Sequence, residues 1–185
     1  ASRSNTVPCR PVDASHRPSG ANATDIDGSR ESCRTGECAM GNLVADAMLD
    51  RVKSQGVTIA LQNGGGLRAS IGAGEVTKGD VLAVLPFQNT LATFEATGET
   101  LVKALENGAS QYEDAAGRFA QVAGLKYTLD PKAEVGHRIS AVEVKSGDGW
   151  APIDPAATYK VVTNNYVRGG GDGYKMFADA ANAYD

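Results

Sequence analysis

The sequence lacks a hydrophobic run long enough to cross a membrane, because no stretch of its 185 residues approaches the roughly 18 consecutive apolar residues that a spanning helix requires. It also lacks a cluster of lysines and arginines, and its formal net charge is −4. This balance argues against a nucleic-acid polymer as partner, although a few local arginines can still hold a small anion. We therefore predict no membrane span and no nucleic-acid polymer.

Histidine and cysteine are scarce, with two and three copies. Cys33 and Cys38 are close in sequence, and we predict a disulfide between them, which implies an oxidising compartment. Two free thiols or half of a metal site are the alternatives, but the chain has no second cysteine pair to complete zinc ligation. For Cys9, a free thiol, a link between chains and a partner outside this sequence all stay open. We interpret His16 and His137 as surface residues rather than metal ligands.

Length and a 42% hydrophobic content suit one domain with a sizeable core. Residues 1–24 are rich in Ser, Pro, Asn and Arg without periodicity, so we interpret them as an irregular leader or linker, and residues 25–185 as the folded domain. Apolar spacing predicts helices over 38–55 and 98–114, and a short one over 77–84. Strands are predicted over 57–61, 90–97, 119–122, 125–129, 139–144 and 159–163. This unequal alternation favours an α+β fold with helices covering a sheet or pair of sheets.

Two glycine-rich segments follow predicted strands, a common position for ligand sites. Residues 63–68 read NGGGLR, and residues 164–174 read NNYVRGGGDGY. Three consecutive glycines allow close approach of a ligand, although a purely structural turn is the alternative. Gly64, Gly66 and Ala69 also fit the dinucleotide pattern G-x-G-x-x-A, but the glycine-rich residues that follow do not predict the helix such a site needs. A phosphate-binding loop ending in Gly-Lys-Ser or Gly-Lys-Thr is absent from the sequence.

The side chains on or near these segments suit the separate parts of a nucleotide. The guanidinium groups of Arg34 and Arg68 match phosphate oxygens. Phe87 and Tyr166 offer two rings, and stacking contributes roughly 1–3 kcal/mol per base. The carboxylate of Asp172 can accept hydrogen bonds from both hydroxyls of a ribose. Each residue also has a purely structural interpretation, but their joint occurrence favours a binding site.

Four motifs in order resemble the C-terminal substrate-binding domain of the 5'-nucleotidase family, over about residues 25–178. They are residues 34–43 (RTGECAMGNL), 63–68, 85–87 (LPF) and 169–174 (GGGDGY). The resemblance implies a layered α/β/β/α domain of a secreted, periplasmic or cell-surface protein. The domain would recognise nucleoside 5'-monophosphates or nucleotide sugars, the substrates that the family hydrolyses.

The resemblance also implies a division of labour within a longer protein. In the family, a separate N-terminal metallophosphoesterase domain with two divalent metal ions performs the hydrolysis. We expect that domain to be the partner of this one, and no cofactor, metal ligand or catalytic residue within this chain. The chain by itself is predicted to bind nucleotide without hydrolysing it.

Carried over by motif, the resemblance implies nine substrate-binding residues: Arg34, Asn63, Gly65, Gly66, Arg68, Phe87, Asn89, Tyr166 and Asp172. The arginines would hold the phosphate with Asn63 nearby, the two rings would sandwich the base, and Asp172 would bind the ribose. Asn89 would contact the base edge, although Gln88 beside it stands where the family usually has glycine. Tyr166 replaces the usual phenylalanine, which keeps the ring and adds a hydroxyl with no predicted partner.

Two other functions are alternatives to nucleotide recognition. The first is a stand-alone extracellular binding or interaction module that keeps this fold and uses it on a partner or a cell surface. The second is a dinucleotide oxidoreductase, which needs a helix after Gly66. The composition of residues 70–74 argues against that helix.

Overall fold

The computed structural model describes residues 24–184, which form eight strands and six α-helices. In chain order the strands are β1 Ile59–Asn63, β2 Leu91–Thr97, β3 Ala120–Ala123, β4 Leu125–Leu129, β5 Ile139–Ser146, β6 Gly149–Pro152, β7 Thr158–Asn164 and β8 Ala181–Tyr184. The helices are α1 Arg30–Cys33, α2 Ala39–Val52, α3 Lys78–Val84, α4 Gly98–Ala109, α5 Asn165–Arg168 and α6 Lys175–Ala178. The strands form a five-stranded mixed sheet, ordered β3-β1-β7-β2-β8, and a three-stranded antiparallel sheet, ordered β4-β5-β6.

Both faces of the large sheet are covered, so strand β1 is buried along its whole length. Ile59 and Leu61 point into the main core, which also contains residues of α4 and of the small sheet. Ala60, between them in sequence, packs on the opposite face with Met48 and Val52 of α2. A strand buried on both faces needs apolar residues at successive positions, as β1 has. The predicted α+β fold class is confirmed.

Helix α2 confirms the helix predicted over residues 38–55. It continues as one 3₁₀ turn, Lys53–Gln55, and Gly56 ends it in the left-handed conformation, with φ 73°. At its start the sulfur of Cys38 accepts a hydrogen bond from the backbone N–H of Gly41 at 3.1 Å. Helix α3 is also confirmed, and it begins with a capping box between Thr77 and Asp80.

The six predicted strands are all present, with ends within two residues of the prediction. Helix α4 differs, because it ends at Ala109 whereas apolar spacing predicted helix to residue 114. The cause is a long-range contact: Arg138 Nη1 donates to the Ala109 carbonyl oxygen at 2.8 Å. Arg138 is buried and also pairs with Glu113. The Tyr112 N–H donates to the same oxygen at 3.3 Å, so a turn and a guanidinium together satisfy a carbonyl that a longer helix would have bonded to the N–H four residues on.

Predictions about the first residues lie outside the described part of the chain. Apart from Thr24, the predicted leader over residues 1–24 falls outside it, as do Cys9 and His16. Among residues 24–184, none of the helices is both long and apolar enough to cross a bilayer.

Candidate functional site

The two glycine-rich segments meet because the strands that precede them are neighbours in the large sheet. Strands β1 and β7 pair in parallel, with Ile59 opposite Val161 and Ala60 opposite Val162. Parallel strands present their carboxyl ends at the same sheet edge, so the segments that follow β1 and β7 emerge side by side. The contacts described below establish that the two segments are adjacent.

A buried amide network links the ends of the two strands. Asn164 Nδ2 donates to Gln62 Oε1 and to Asn63 Oδ1, both at 3.0 Å. Asn164 Oδ1 accepts from the backbone N–H of Val167 and thereby caps α5. Asn63 is only 3% exposed, and its Nδ2 donates to Asp172 Oδ2 at 2.7 Å. Asn63 therefore orients the Asp172 side chain from a buried position. A direct contact between Asn63 and a phosphate stays a prediction.

Asp172 and Tyr166 form two hydrogen bonds with each other. Asp172 is thus the partner of the Tyr166 hydroxyl, for which the sequence predicted none. The Tyr166 hydroxyl donates to Asp172 Oδ1 at 3.0 Å and accepts from the Asp172 backbone N–H at 3.2 Å. Asp172 has φ 52°, the left-handed region, which aspartate tolerates better than most residues. Burial, and then the hydrogen bond to Asp172, raise the pKa of Tyr166, so its hydroxyl stays protonated at neutral pH.

Phe87 and Asn89 share one cleft with the first glycine loop. The cleft measures about 460 Å³ and is lined by Phe87, Asn89, Gly66 and Asn164, among others. Phe87 is 57% exposed although it is a large apolar side chain, so it is no core residue. Gln88 has φ 54°, a conformation that glycine adopts more readily, which explains physically why glycine would suit this position.

The segment that carries Tyr166 is tied to the segment that carries Phe87. Asn165 N–H donates to the Thr90 carbonyl oxygen at 3.0 Å, and Thr90 N–H donates to Asn165 Oδ1 at 3.1 Å. The Tyr166 side chain is 48% exposed. Both predicted base-stacking rings therefore lie on adjoining surface segments at the same sheet edge and are open to solvent.

Three arginines line a second hollow of about 550 Å³: Arg30, Arg34 and Arg68. Arg34 and Arg68 were predicted, whereas Arg30 was missed, although its position four residues before Arg34 was a usable signal for a shared helical face. Arg30 Nη2 donates to the Asp114 carbonyl oxygen at 3.3 Å. The Arg68 guanidinium lies 5.8 Å from the centre of the Phe87 ring, so the arginine hollow adjoins the aromatic cleft.

Arg34 is the arginine whose environment most favours an anion. Its Nε is buried, and no residue in the described range 24–184 accepts a hydrogen bond from it. Burial, and then the charges of Arg30 and Arg68, lower the pKa of Arg34, while Asp172 acts in the opposite direction. A guanidinium keeps its proton at neutral pH nevertheless. A negative charge bound among these arginines would therefore relieve their mutual repulsion.

The three consecutive glycines are needed for packing within the protein, because a Cβ at each position would meet another part of the chain. On Gly64 it would lie 2.3 Å from the Cys33 carbonyl oxygen, and on Gly65 2.8 Å from Gly117 Cα. On Gly66 it would lie 2.2 Å from a side-chain amide of β1. The glycines let neighbouring segments pack tightly, and ligand contact at Gly65 and Gly66 stays a prediction.

The predicted Cys33–Cys38 disulfide is confirmed, with a Cα–Cα distance of 5.0 Å. Its short loop, which includes Arg34, is anchored by Gln121 of β3. Gln121 Nε2 donates to the carbonyl oxygens of Cys33 and Gly36 at 2.9 and 2.7 Å. Gln121 Oε1 accepts from Cys38 N–H at 3.2 Å. The disulfide and the Gln121 side-chain amide together hold the backbone position of Arg34.

No group of three or more His, Cys, Asp or Glu side chains within residues 24–184 is arranged to hold a metal ion. His137 is exposed, as predicted. The described residues thus offer cations, amides, rings and one carboxylate at this sheet edge. Such a set can bind and orient an anionic, aromatic ligand.

A family model and similar relatives point to the same protein family. The family described as "5'-nucleotidase, C-terminal domain" matches residues 18–179, so the match begins within the predicted leader. The trifunctional nucleotide phosphoesterase protein YfkN of Bacillus subtilis (strain 168) is 45% identical over 162 residues, which cover 86% of this chain and 11% of YfkN. The 5'-nucleotidase of Homo sapiens is 34% identical over 174 residues, covering 86% of this chain and 30% of that protein.

A solved structure shares the fold closely. The crystal structure of a 5'-nucleotidase precursor from Thermus thermophilus superposes with a TM-score of 0.88 and is 46% identical in sequence. The alignment covers 90% of this chain and 33% of that one. The present chain thus spans about a third or less of the length of these relatives.

Proposed function

Because this chain belongs to the 5'-nucleotidase C-terminal domain family, we propose that it is the nucleotide-binding part of a 5'-nucleotidase-type phosphohydrolase. It would recognise the base, ribose and phosphate of a nucleoside 5'-monophosphate or nucleotide sugar. The observation that carries the proposal is the hollow lined by Arg30, Arg34 and Arg68, which adjoins the exposed ring of Phe87.

The phosphate is assigned to the hollow lined by Arg30, Arg34 and Arg68. Guanidinium groups bind phosphate oxygens through paired, charge-assisted hydrogen bonds, which are stronger than neutral ones. Three such groups around one hollow also create a local positive potential in a chain whose net charge is −4. The inclusion of Arg30 extends the set predicted from the sequence.

The base is assigned to the exposed surface between the segments that carry Phe87 and Tyr166. A purine or pyrimidine slotted there would cover two rings that are now 57% and 48% exposed. Stacking is tolerant of base identity, so this part of the site supplies affinity more than selectivity. Asn89 lines the same cleft as Phe87 and would contact the edge of the base.

The ribose is assigned to Asp172. Its carboxylate is held by Asn63 and Tyr166, and each oxygen has capacity for a further hydrogen bond. Ligand hydroxyl groups are suitable donors. Asp172 bonds the Tyr166 hydroxyl and interacts electrostatically with Arg34, which supports a sugar site near both the base and the phosphate.

The hydrolytic step is assigned to another part of a longer protein. The chain matches about a third or less of its relatives' length, and the resemblance implies a preceding metallophosphoesterase domain with two divalent metal ions. Such ions would activate the attacking water and stabilise the phosphoryl group. The described residues do not fit a metal site, so no step of the proposal uses a metal bound here. The disulfide supports an oxidising compartment, as expected for a secreted, periplasmic or surface protein.

Isothermal titration calorimetry of the 185-residue chain tests the proposal with three ligands: AMP, adenosine and inorganic phosphate. We expect saturable AMP binding, tighter than adenosine binding by about tenfold or more, because only AMP also engages the arginines. Phosphate alone should bind more weakly than AMP, because it does not contact the rings. Equal affinities for AMP and adenosine would contradict the phosphate assignment, and no saturable binding of AMP would contradict the proposal as a whole.

A further inference from the structure

We propose that the Tyr166 hydroxyl is a positioning group that makes the site selective for ribonucleotides over 2'-deoxyribonucleotides, by holding the Asp172 carboxylate where it accepts from both sugar hydroxyls. The inference rests on the proposed function and assigns a determinant of substrate selectivity to one oxygen atom. The ring of Tyr166 and its hydroxyl then have separate tasks, one toward the base and one toward the sugar.

The first support is that the hydroxyl bonds the same residue twice. It donates to Asp172 Oδ1 and accepts from the Asp172 backbone N–H, at 3.0 and 3.2 Å. The two bonds fix both the side chain and the backbone of Asp172 relative to the ring. A Cβ added to Gly171 would come within 2.6 Å of the Tyr166 ring, so the glycine permits this close fold of the loop.

The second support is that the two oxygens of the carboxylate have different partners, one buried and one half exposed. Asn63 Nδ2 donates to Oδ2 at 2.7 Å, and Asn63 itself is buried and held by Asn164. The Tyr166 hydroxyl donates to the other oxygen, Oδ1, and Tyr166 is half exposed. Loss of the Tyr166 hydroxyl would therefore leave the carboxylate with the single side-chain hydrogen bond from Asn63, about which it could turn.

The third support is the loop itself. Asp172 has φ 52° and is the only non-glycine residue in the stretch 169–173. Glycines have many accessible backbone conformations, so the chain around Asp172 has little intrinsic preference for the observed one. Asn107 Nδ2 donates to the Asp172 carbonyl oxygen at 3.1 Å, and the two hydrogen bonds with Tyr166 add to it in holding this conformation before a ligand binds, which lowers the entropy cost of binding.

Selectivity for ribose over 2'-deoxyribose depends on how many hydrogen bonds the Asp172 carboxylate can still accept. A carboxylate oxygen can accept about two hydrogen bonds, and the protein uses one on each oxygen of Asp172. One position on each oxygen is therefore available to a ligand. A ribose offers two neighbouring hydroxyls to these two positions, whereas a 2'-deoxyribose offers one. If the Asp172 carboxylate turns, only one of its oxygens can accept from the sugar, and the difference in affinity between ribonucleotide and 2'-deoxyribonucleotide becomes smaller.

The test compares AMP with 2'-deoxy-AMP by calorimetry on the full chain, in wild type and in Tyr166→Phe. We expect the wild type to prefer AMP by about tenfold, the effect of one hydrogen bond to a charged group. Tyr166→Phe should reduce that ratio to about twofold, mainly through weaker AMP binding, because the ring and its stacking are retained. Tyr184→Phe, on the exposed strand β8, is the matched control and should leave the ratio unchanged.

A double-mutant cycle with Asp172→Asn shows whether Tyr166 acts through Asp172. If it does, adding Tyr166→Phe to Asp172→Asn should not lower the ratio further. An unchanged ratio in Tyr166→Phe, or an equal loss of affinity for both nucleotides, would overturn the inference and leave the proposed function intact. If the wild type binds neither nucleotide, the proposed function fails and the inference fails with it.

Discussion

Replacing Arg34 by alanine is expected to lower the affinity for AMP by about 100-fold, because two charge-assisted hydrogen bonds to the phosphate are lost. Arg34 has a buried Nε that no described residue accepts from, and it lies between two other cations. Adenosine carries no phosphate, so its affinity should hardly change. Calorimetric titration of the variant with both ligands measures the two effects separately.

Two further variants separate the charge of Arg34 from its shape. Arg34→Lys keeps the positive charge but loses the planar fork, and should weaken AMP binding by about tenfold. Arg51→Ala removes an exposed arginine from the last turn of α2 and should have little effect on AMP binding. Arg34→Ala should not destabilise the fold, since it removes a buried, unsatisfied donor and a repulsive charge. Wild-type AMP affinity in Arg34→Ala would refute the assignment of the phosphate to this hollow.

Gly64→Ala is expected to destabilise the folded protein by about 3 kcal/mol, at the upper end of overpacking effects. The added Cβ would lie 2.3 Å from the Cys33 carbonyl oxygen, which belongs to backbone and has little freedom to move. The Gly64 N–H also donates to the Phe119 carbonyl oxygen at 2.7 Å, so the loop cannot withdraw without losing that bond. Urea unfolding followed by circular dichroism measures the change.

The control for this substitution is Gly72→Ala. Gly72 has its nearest neighbouring atom 4.0 Å from the added Cβ and no positive φ, so alanine should fit there. The stability of the Gly72→Ala variant should equal that of the wild type or be slightly higher, since alanine has fewer conformations than glycine in the unfolded chain. If Gly64→Ala unfolds at the same urea concentration as wild type, the disulfide loop does not pack against the glycine loop as described.

Elements with a long, regular pattern were predictable from sequence. Helix α2 has apolar residues at helical spacing over several turns and a glycine at its end, so both its type and its end at Gly56 followed from local rules. Strand β4 was predicted with the observed bounds because turn residues flank it. In these elements local preference and tertiary packing agree.

Other elements have no local pattern to detect. Helices α1, α5 and α6 have four residues each, which is too short for a periodicity of 3.6 to appear. Strand β8 has only four residues and all are exposed, so burial imposes no apolar face that a sequence pattern could reveal. The end of α4 depends on Arg138, which is distant in sequence. Such features depend on tertiary contacts between residues that are far apart in the sequence, so a local sequence pattern does not reveal them.

The composition of the candidate site was predictable, but the connections within it were not. Arg34, Arg68, Phe87 and Asp172 were singled out because their chemical types suit the parts of a nucleotide. The parallel pairing of β1 with β7, which brings the loops together, leaves no mark in the sequence. For the same reason the bonds of Asp172 to Asn63 and Tyr166 emerged only from the fold.

Phe87 and Tyr166 are proposed to hold the base of a nucleotide whose phosphate lies among the arginines. Nuclear magnetic resonance of the full chain, titrated with AMP, observes both rings during binding. We expect saturable shifts of the Phe87 and Tyr166 ring signals, caused by the ring current of the stacked base, together with shifts of the Arg34 side chain. Ring signals that stay unchanged at millimolar AMP would contradict this proposal.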